Sequence, residues 1–145
     1  MLAVCWSVSA QTSQVLSIAP PAKTNGKRSG EMEVRLTAQL KSGYHVNSNT
    51  PSEDYLIPLR LTWDAKPLEV AAIQYPKPVL ERYEFADKPL SVFTGDFDIV
   101  TRFKVPANAP SGLGILVGKL RYQACSEKLC LPPRNLDVRV TYELR

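Results

Sequence analysis

Residues 122–133 read YQACSEKLCLPP and hold Cys125 and Cys130 with four residues between them. Two thiols so close can serve as a structural clip, as metal ligands or as a redox pair. The metal reading is poor, because a structural zinc site wants four ligands and the only histidine, His45, brings no second ligand pair with it. No metal and no cofactor is therefore expected. A clip is feasible but weak, since closing so small a loop stabilises a fold by about 2 kcal/mol in the chain-entropy model. A redox pair is favoured by the cations Lys119, Arg121, Lys128 and Arg134, because nearby positive charge promotes the thiolate that attacks a disulfide; Glu127 partly offsets them. On this chemistry alone the redox and structural readings stand level.

Extended elements must position these thiols. Met32, Val34, Leu36, Ala38 and Leu40 alternate with polar residues, as do Leu59, Leu61 and Trp63. The same period of two recurs at Phe97, Ile99, Thr101, Phe103 and Val105, and from Leu136 to Leu144. Such a period places alternate side chains on opposite faces and predicts half-buried strands. Apolar runs at Val15–Ala19, Leu68–Tyr75 and Leu113–Ala124 add further strands. Helical spacing is nearly absent, with Pro51–Asp54 offering at most one turn. The 12 prolines fall mainly between strand segments, as expected for residues that cannot donate to a ladder. Residues 20–30 read as a polar loop. Seven to nine short strands predict an all-β fold, an antiparallel immunoglobulin-like β-sandwich, with a partly open barrel as the alternative. Leu113–Ala124 and Arg134–Leu144 would then flank a hairpin that sets Cys125 opposite Cys130. Opposed residues of an antiparallel pair lie about 4.5 to 5.5 Å apart at Cα, within reach of a disulfide.

The bulk numbers agree with one domain. A chain of 145 residues buries roughly 70% of its unfolded surface, so its core does not depend on a staple. A net charge of +4 spread along the chain gives no basic patch for nucleic acid. No apolar run reaches the roughly 18 residues of a spanning helix, so the protein is not expected to be transmembrane. The start, MLAVCWSVSAQ, reads as a signal-peptide remnant over residues 1–10, with Val8-Ser9-Ala10 as the cleavage signal and a single domain over residues 11–145. Removing it takes away Cys5 and leaves an even pair, which suits a disulfide in an exported protein.

The segment YQACSEKLCLPP resembles the cysteine segment of the N-terminal periplasmic domain of the thiol:disulfide interchange protein DsbD, through Tyr122, Gln123, Cys125, Cys130, Pro132 and Pro133. Gly43-Tyr44-His45-Val46-Asn47 is similar to that family's glycine–aromatic segment. Glu84-Phe85 with Lys88 is similar to its cap loop, and the order agrees over roughly residues 15–144. The chain departs from the family in a cysteine insert one residue shorter, in Tyr83 where an acid is expected, and in Ala86 where an aromatic is expected. The resemblance implies an exported, soluble periplasmic sandwich. It would accept electrons from a membrane-embedded thiol transporter domain and reduce thioredoxin-like periplasmic proteins. It also implies that Cys130 forms mixed disulfides, that Cys125 resolves them, and that Phe85 shields the pair, with Glu84, Tyr44 and His45 at the site. Taken without the family, His45 is read more simply as a strand-end residue, Phe85 is equally a loop anchor, and Trp63 belongs in the core. Tyr55 and Tyr83 suit a docking surface. The rival function is a secreted β-sandwich binding module with an inert disulfide.

Overall fold

The computed structural model describes residues 14–145; the expected signal-peptide remnant and Cys5 lie outside the described residues. Twelve strands follow in chain order: β1 (Leu16–Ile18), β2 (Thr24–Gly26), β3 (Glu31–Leu40), β4 (His45–Asn47), β5 (Arg60–Asp64), β6 (Glu69–Gln74), β7 (Val79–Glu81), β8 (Leu90–Thr94), β9 (Phe97–Lys104), β10 (Gly112–Tyr122), β11 (Ala124–Cys125) and β12 (Arg134–Leu144). They form three four-stranded sheets, in the orders β1-β3-β9-β6, β2-β12-β10-β5 and β11-β4-β8-β7.

The first two sheets make the sandwich, and the alternation in the sequence is what closes it. Met32, Val34, Leu36, Ala38 and Leu40 of β3 are buried against Leu136, Val138, Val140, Tyr142 and Leu144 of β12, with Ile99 and Phe103 of β9 in the same core. Each fully buried aliphatic or aromatic side chain contributes about 1.5–3 kcal/mol of transfer free energy. Trp63 of β5 ties the two sheets together. Its indole Nε1–H donates to Thr101 Oγ1 at 3.0 Å, and its ring meets Phe103 edge-on at 5.4 Å. The buried Thr101 hydroxyl, polar in an apolar layer, gains a partner by that bond. Gly118 makes room for the indole, since a Cβ there would lie 2.8 Å from the Trp63 ring.

The fold is thus the antiparallel immunoglobulin-like sandwich expected, with three corrections of detail. The strands number twelve among the described residues, not seven to nine. The polar stretch 20–30 is not all loop, because β2 pairs in parallel with Tyr142–Leu144. Pro51–Asp54 forms bends and turns without a helical turn.

The third sheet sits where the chain leaves the sandwich. It receives β4 after β3 through a turn at Gly43, whose φ of +86° is open to glycine without steric cost. It receives β11 between β10 and β12, and it hands the chain back through β8 to β9. Its strands are short; β4 is buried throughout and β8 at four of five positions, while β7 is an exposed edge. Buried polar side chains hold it. Ser48 and Ser91 share a hydroxyl hydrogen bond of 2.7 Å, and the Asn47 amide donates to the Ile57 carbonyl at 3.1 Å.

Candidate functional site

The long ladder between β10 and β12 closes at Tyr122 opposite Arg134. Beyond that pair the chain cannot continue the ladder, because Pro132 and Pro133 have no N–H to give. The segment between turns away and forms its own small hairpin. Leu131 N–H donates to Ala124 O at 2.8 Å, and Ser126 N–H donates to Leu129 O at 2.8 Å. The Gln123 side-chain amide donates to Leu131 O at 3.3 Å across its base. At the tip, the Ser126 hydroxyl accepts from the N–H groups of Lys128 and Leu129, each at 3.2 Å, as serine does in tight turns.

Cys125 and Cys130 lie opposite each other between those backbone bonds and are joined by a disulfide. This is the non-hydrogen-bonded position, where an antiparallel pair comes closest, and the Cα atoms are 3.9 Å apart. The expected hairpin is therefore present, but as a branch leading off the β10–β12 ladder. The two sulfurs differ sharply in access. Cys125 is 2% exposed, whereas Cys130 is exposed, beside the exposed Leu129.

Strand β11 carries Cys125 into the third sheet, in register with His45 of β4, which in turn opposes Thr94 of β8. Directly opposed residues share a face with Cβ atoms about 4.5–5.5 Å apart, so His45 and Cys125 lie on one face of this sheet. His45 opens β4, is 3% exposed and is paired in register with Cys125. The chain leaving β7 returns over it. Tyr83 stacks on His45 with ring centroids 4.0 Å apart and 18° between planes, and Phe85 stacks on Tyr83 at 5.4 Å and lies 6.3 Å from His45. Tyr83 is thus a half-buried member of the stack, while Tyr55 is 77% exposed. Phe85 remains 45% exposed, at the outer end of the stack, and Glu84 beside it is exposed. The base of this loop is fastened by Ser52, whose hydroxyl donates to Pro89 O at 3.2 Å and accepts from Ser91 N–H at 2.9 Å, and by Lys88 3.8 Å from Glu53.

A cleft of about 420 Å³ opens beside the stack, lined among others by His45, Tyr83, Glu81, Glu127 and Lys41. Its charge is more acidic than basic. The cations invoked from sequence are distributed otherwise: Lys119 and Arg121 project from the outer face of β10, and Arg134 lines a second cleft of about 230 Å³ with Lys41, Tyr44 and Tyr122. Tyr44 borders both clefts and packs on the sandwich core. The Tyr83 hydroxyl donates to Glu81 Oε2 at 2.7 Å. Burial first, then that bond and the charges of Glu81 and Glu127, raise the Tyr83 phenol far above its ordinary value, so it stays protonated. Burial lowers His45 below 6.5, with the Glu81 charge acting in the opposite sense. Among the described residues the buried His45 Nε2 has no hydrogen-bond partner. No cluster of metal-ligating side chains occurs among them either.

Sequence reasoning missed Glu81 and the Ser48–Ser91 pair. Glu81 could have been suspected from its place two residues before Tyr83, on the strand that feeds the cap loop. The serines carried no signal, because their meeting depends on pairing β4 with β8.

The family described as "Thiol:disulfide interchange protein DsbD, N-terminal" matches residues 14–141. Among solved structures, the N-terminal periplasmic domain of ScsB from Proteus mirabilis is 14% identical with a TM-score of 0.57, covering 81% of this chain and 43% of that one. The reduced N-terminal domain of DsbD from Neisseria meningitidis is 17% identical with a TM-score of 0.49, covering 76% and 80%. Similarity at these identities is similarity of fold. No curated protein matches the chain.

Proposed function

The chain belongs to the family of the N-terminal domain of the thiol:disulfide interchange protein DsbD and is a thiol–disulfide exchange domain, and we propose that it carries electrons in the periplasm from a membrane-embedded thiol transporter to thioredoxin-like proteins. Among the described residues no helix is long and apolar enough to cross a membrane, so a transporter would be a separate domain or chain.

The difference in access between the two sulfurs carries this reading. In the reduced domain, the Cys130 thiolate attacks one sulfur of a partner disulfide, forming a Cys130–partner bond and releasing the first partner thiolate. Cys125 then attacks Cys130 Sγ, closing the internal disulfide and releasing the second. Two electrons pass to the partner, and the domain is left oxidised. The transporter's dithiol reverses the sequence and takes up the oxidation. A sulfur must be reachable in line to be attacked or to attack another chain. Cys130 is reachable, whereas Cys125 is 2% exposed and meets only a sulfur already delivered by Cys130. Phe85 and Glu84 form the cap over the pair, and Tyr44 and His45 line it.

Two measurements test the reading. The native disulfide should equilibrate with a glutathione or thioredoxin-type redox buffer within minutes; a bond that resists native reduction sinks the carrier function and leaves the inert binding module. Cys125→Ser should trap a mixed disulfide through Cys130, and trapping seen solely with Cys130→Ser would reverse the two roles.

A further inference from the structure

Cys125 has the harder half of the reaction. Its thiol must lose a proton before it can attack, yet burial disfavours the charged thiolate. The adjacent cleft helps little, with Glu81 and Glu127 set against Lys41. A proton acceptor inside the fold would remove the difficulty.

His45 meets the requirement by placement. It is the cross-strand partner of Cys125, on the same face of the sheet. It is 3% exposed, its ring is held between sheet and cap by Tyr83 and Phe85, and its Nε2 is unpartnered among the described residues. A buried imidazole kept only as filler would gain from a partner for that nitrogen. We propose that His45 takes the Cys125 thiol proton when the Cys130–partner mixed disulfide is resolved and gives it to the departing partner thiolate.

This rests on the exchange reading above. The balance is simple: the Cys125 S–H bond breaks and an imidazolium N–H forms. The Cys125–Cys130 bond then forms as the Cys130–partner bond breaks, and the proton leaves with the partner's sulfur. The ring must be neutral at the start, and burial ensures that near pH 7 by lowering its affinity for protons. The groups facing it are Glu127 from the cysteine hairpin, Glu81 from β7, Tyr83 from the cap loop, Lys41 from the turn before β4 and Thr94 from β8. Tyr83 remains a neutral donor to Glu81, and the Glu81 carboxylate favours the imidazolium once it forms.

The test is rapid mixing of the fully reduced chain with excess 5,5′-dithiobis(2-nitrobenzoate). Release of the first chromophore reports attack by Cys130, and release of the second reports resolution by Cys125. In the unaltered protein the second rate should be level from pH 7 to 8 and fall as the pH drops below 6.5 and the ring is protonated. In His45→Gln the ratio of second to first rate should fall roughly 100-fold at pH 7. It should then climb about tenfold per pH unit as the thiol ionises unaided. In His45→Ala, added imidazole should restore the second phase, while pyrazole, a ring of the same size and much weaker base, should not. Equal rescue by pyrazole, or an unchanged ratio in His45→Gln, overturns the assignment. If the variants do not fold, the unaltered protein still decides: a second rate rising tenfold per pH unit from 6 to 8 without levelling overturns it. Absence of any second phase in the unaltered protein removes the exchange function as well, so the two failures are distinct.

Discussion

The two long sheets and the short third sheet are built on different principles. In the sandwich, strands of up to 11 residues bury one face and wet the other, so stability comes from apolar alternation and is spread over many side chains. In the third sheet no strand exceeds five residues, and buried positions carry His45, Asn47, Ser48 and Ser91. Apolar burial at Val46, Val92 and Phe93 continues there, and hydrogen bonds between specific buried polar atoms are added to it. The chemistry sits in the second environment. On the proposed function, a site that binds a partner, opens a cap and changes the bonding of two sulfurs gains from a frame that can loosen by itself.

The sharpest way to break this comparison is at the centre of the sandwich. Phe103→Ala should cost about 3–5 kcal/mol in denaturant unfolding, while the protein that remains folded should exchange disulfides at the original rate. Ser91→Ala acts in the other region. It removes the Ser48–Ser91 hydroxyl bond and leaves Ser48 Oγ accepting from Thr50 N–H, at a cost of about 0.5–1.5 kcal/mol, and hydrogen exchange should quicken at amides of β4 and β8 without changing those of β3 and β12. A uniform effect over all three sheets would dissolve the distinction.

Smaller again is the effect of acid. His45 binds a proton less readily folded than unfolded, so the unfolded state holds more protons as the pH falls through 6.5. The stability is present above that pH and is lost on descending towards the lower folded value. Thermal unfolding midpoints should fall from pH 7 towards pH 5, and His45→Gln should flatten the slope. Least of all in energy is Phe85→Ala. The ring is 45% exposed, and its loss should change stability by no more than about 0.5 kcal/mol. Reduction of the disulfide by dithiothreitol should nonetheless become several-fold faster, and an unchanged rate would show that Phe85 does not shield the pair.

This contrast also explains what could be read in advance. Strands β3, β9 and β12 announce themselves because each has one wet face, which makes the alternation visible. Leu90–Thr94 and His45–Asn47 have no wet face, so period two disappears and neither reads as a strand. The cysteine hairpin was legible through the turn length and the prolines, and its fork towards β4 was not, because pairing of β11 with β4 joins residues far apart in the chain. The same holds for the cap. Phe85 was picked out by its likeness to a family loop, whereas its stacking through Tyr83 onto His45 emerges only when β7, β8 and β4 lie side by side.

The pairing of Tyr122 with Arg134 has a consequence for how such a domain can diversify. The ladder is already closed below the cysteine hairpin, so residues 123–133 behave as a cassette plugged into a finished socket. A residue gained or lost between Cys125 and Cys130 shifts no register in the long sheets and turns no core side chain outward. The length and tip of this cassette can therefore change while the scaffold beneath carries no memory of it.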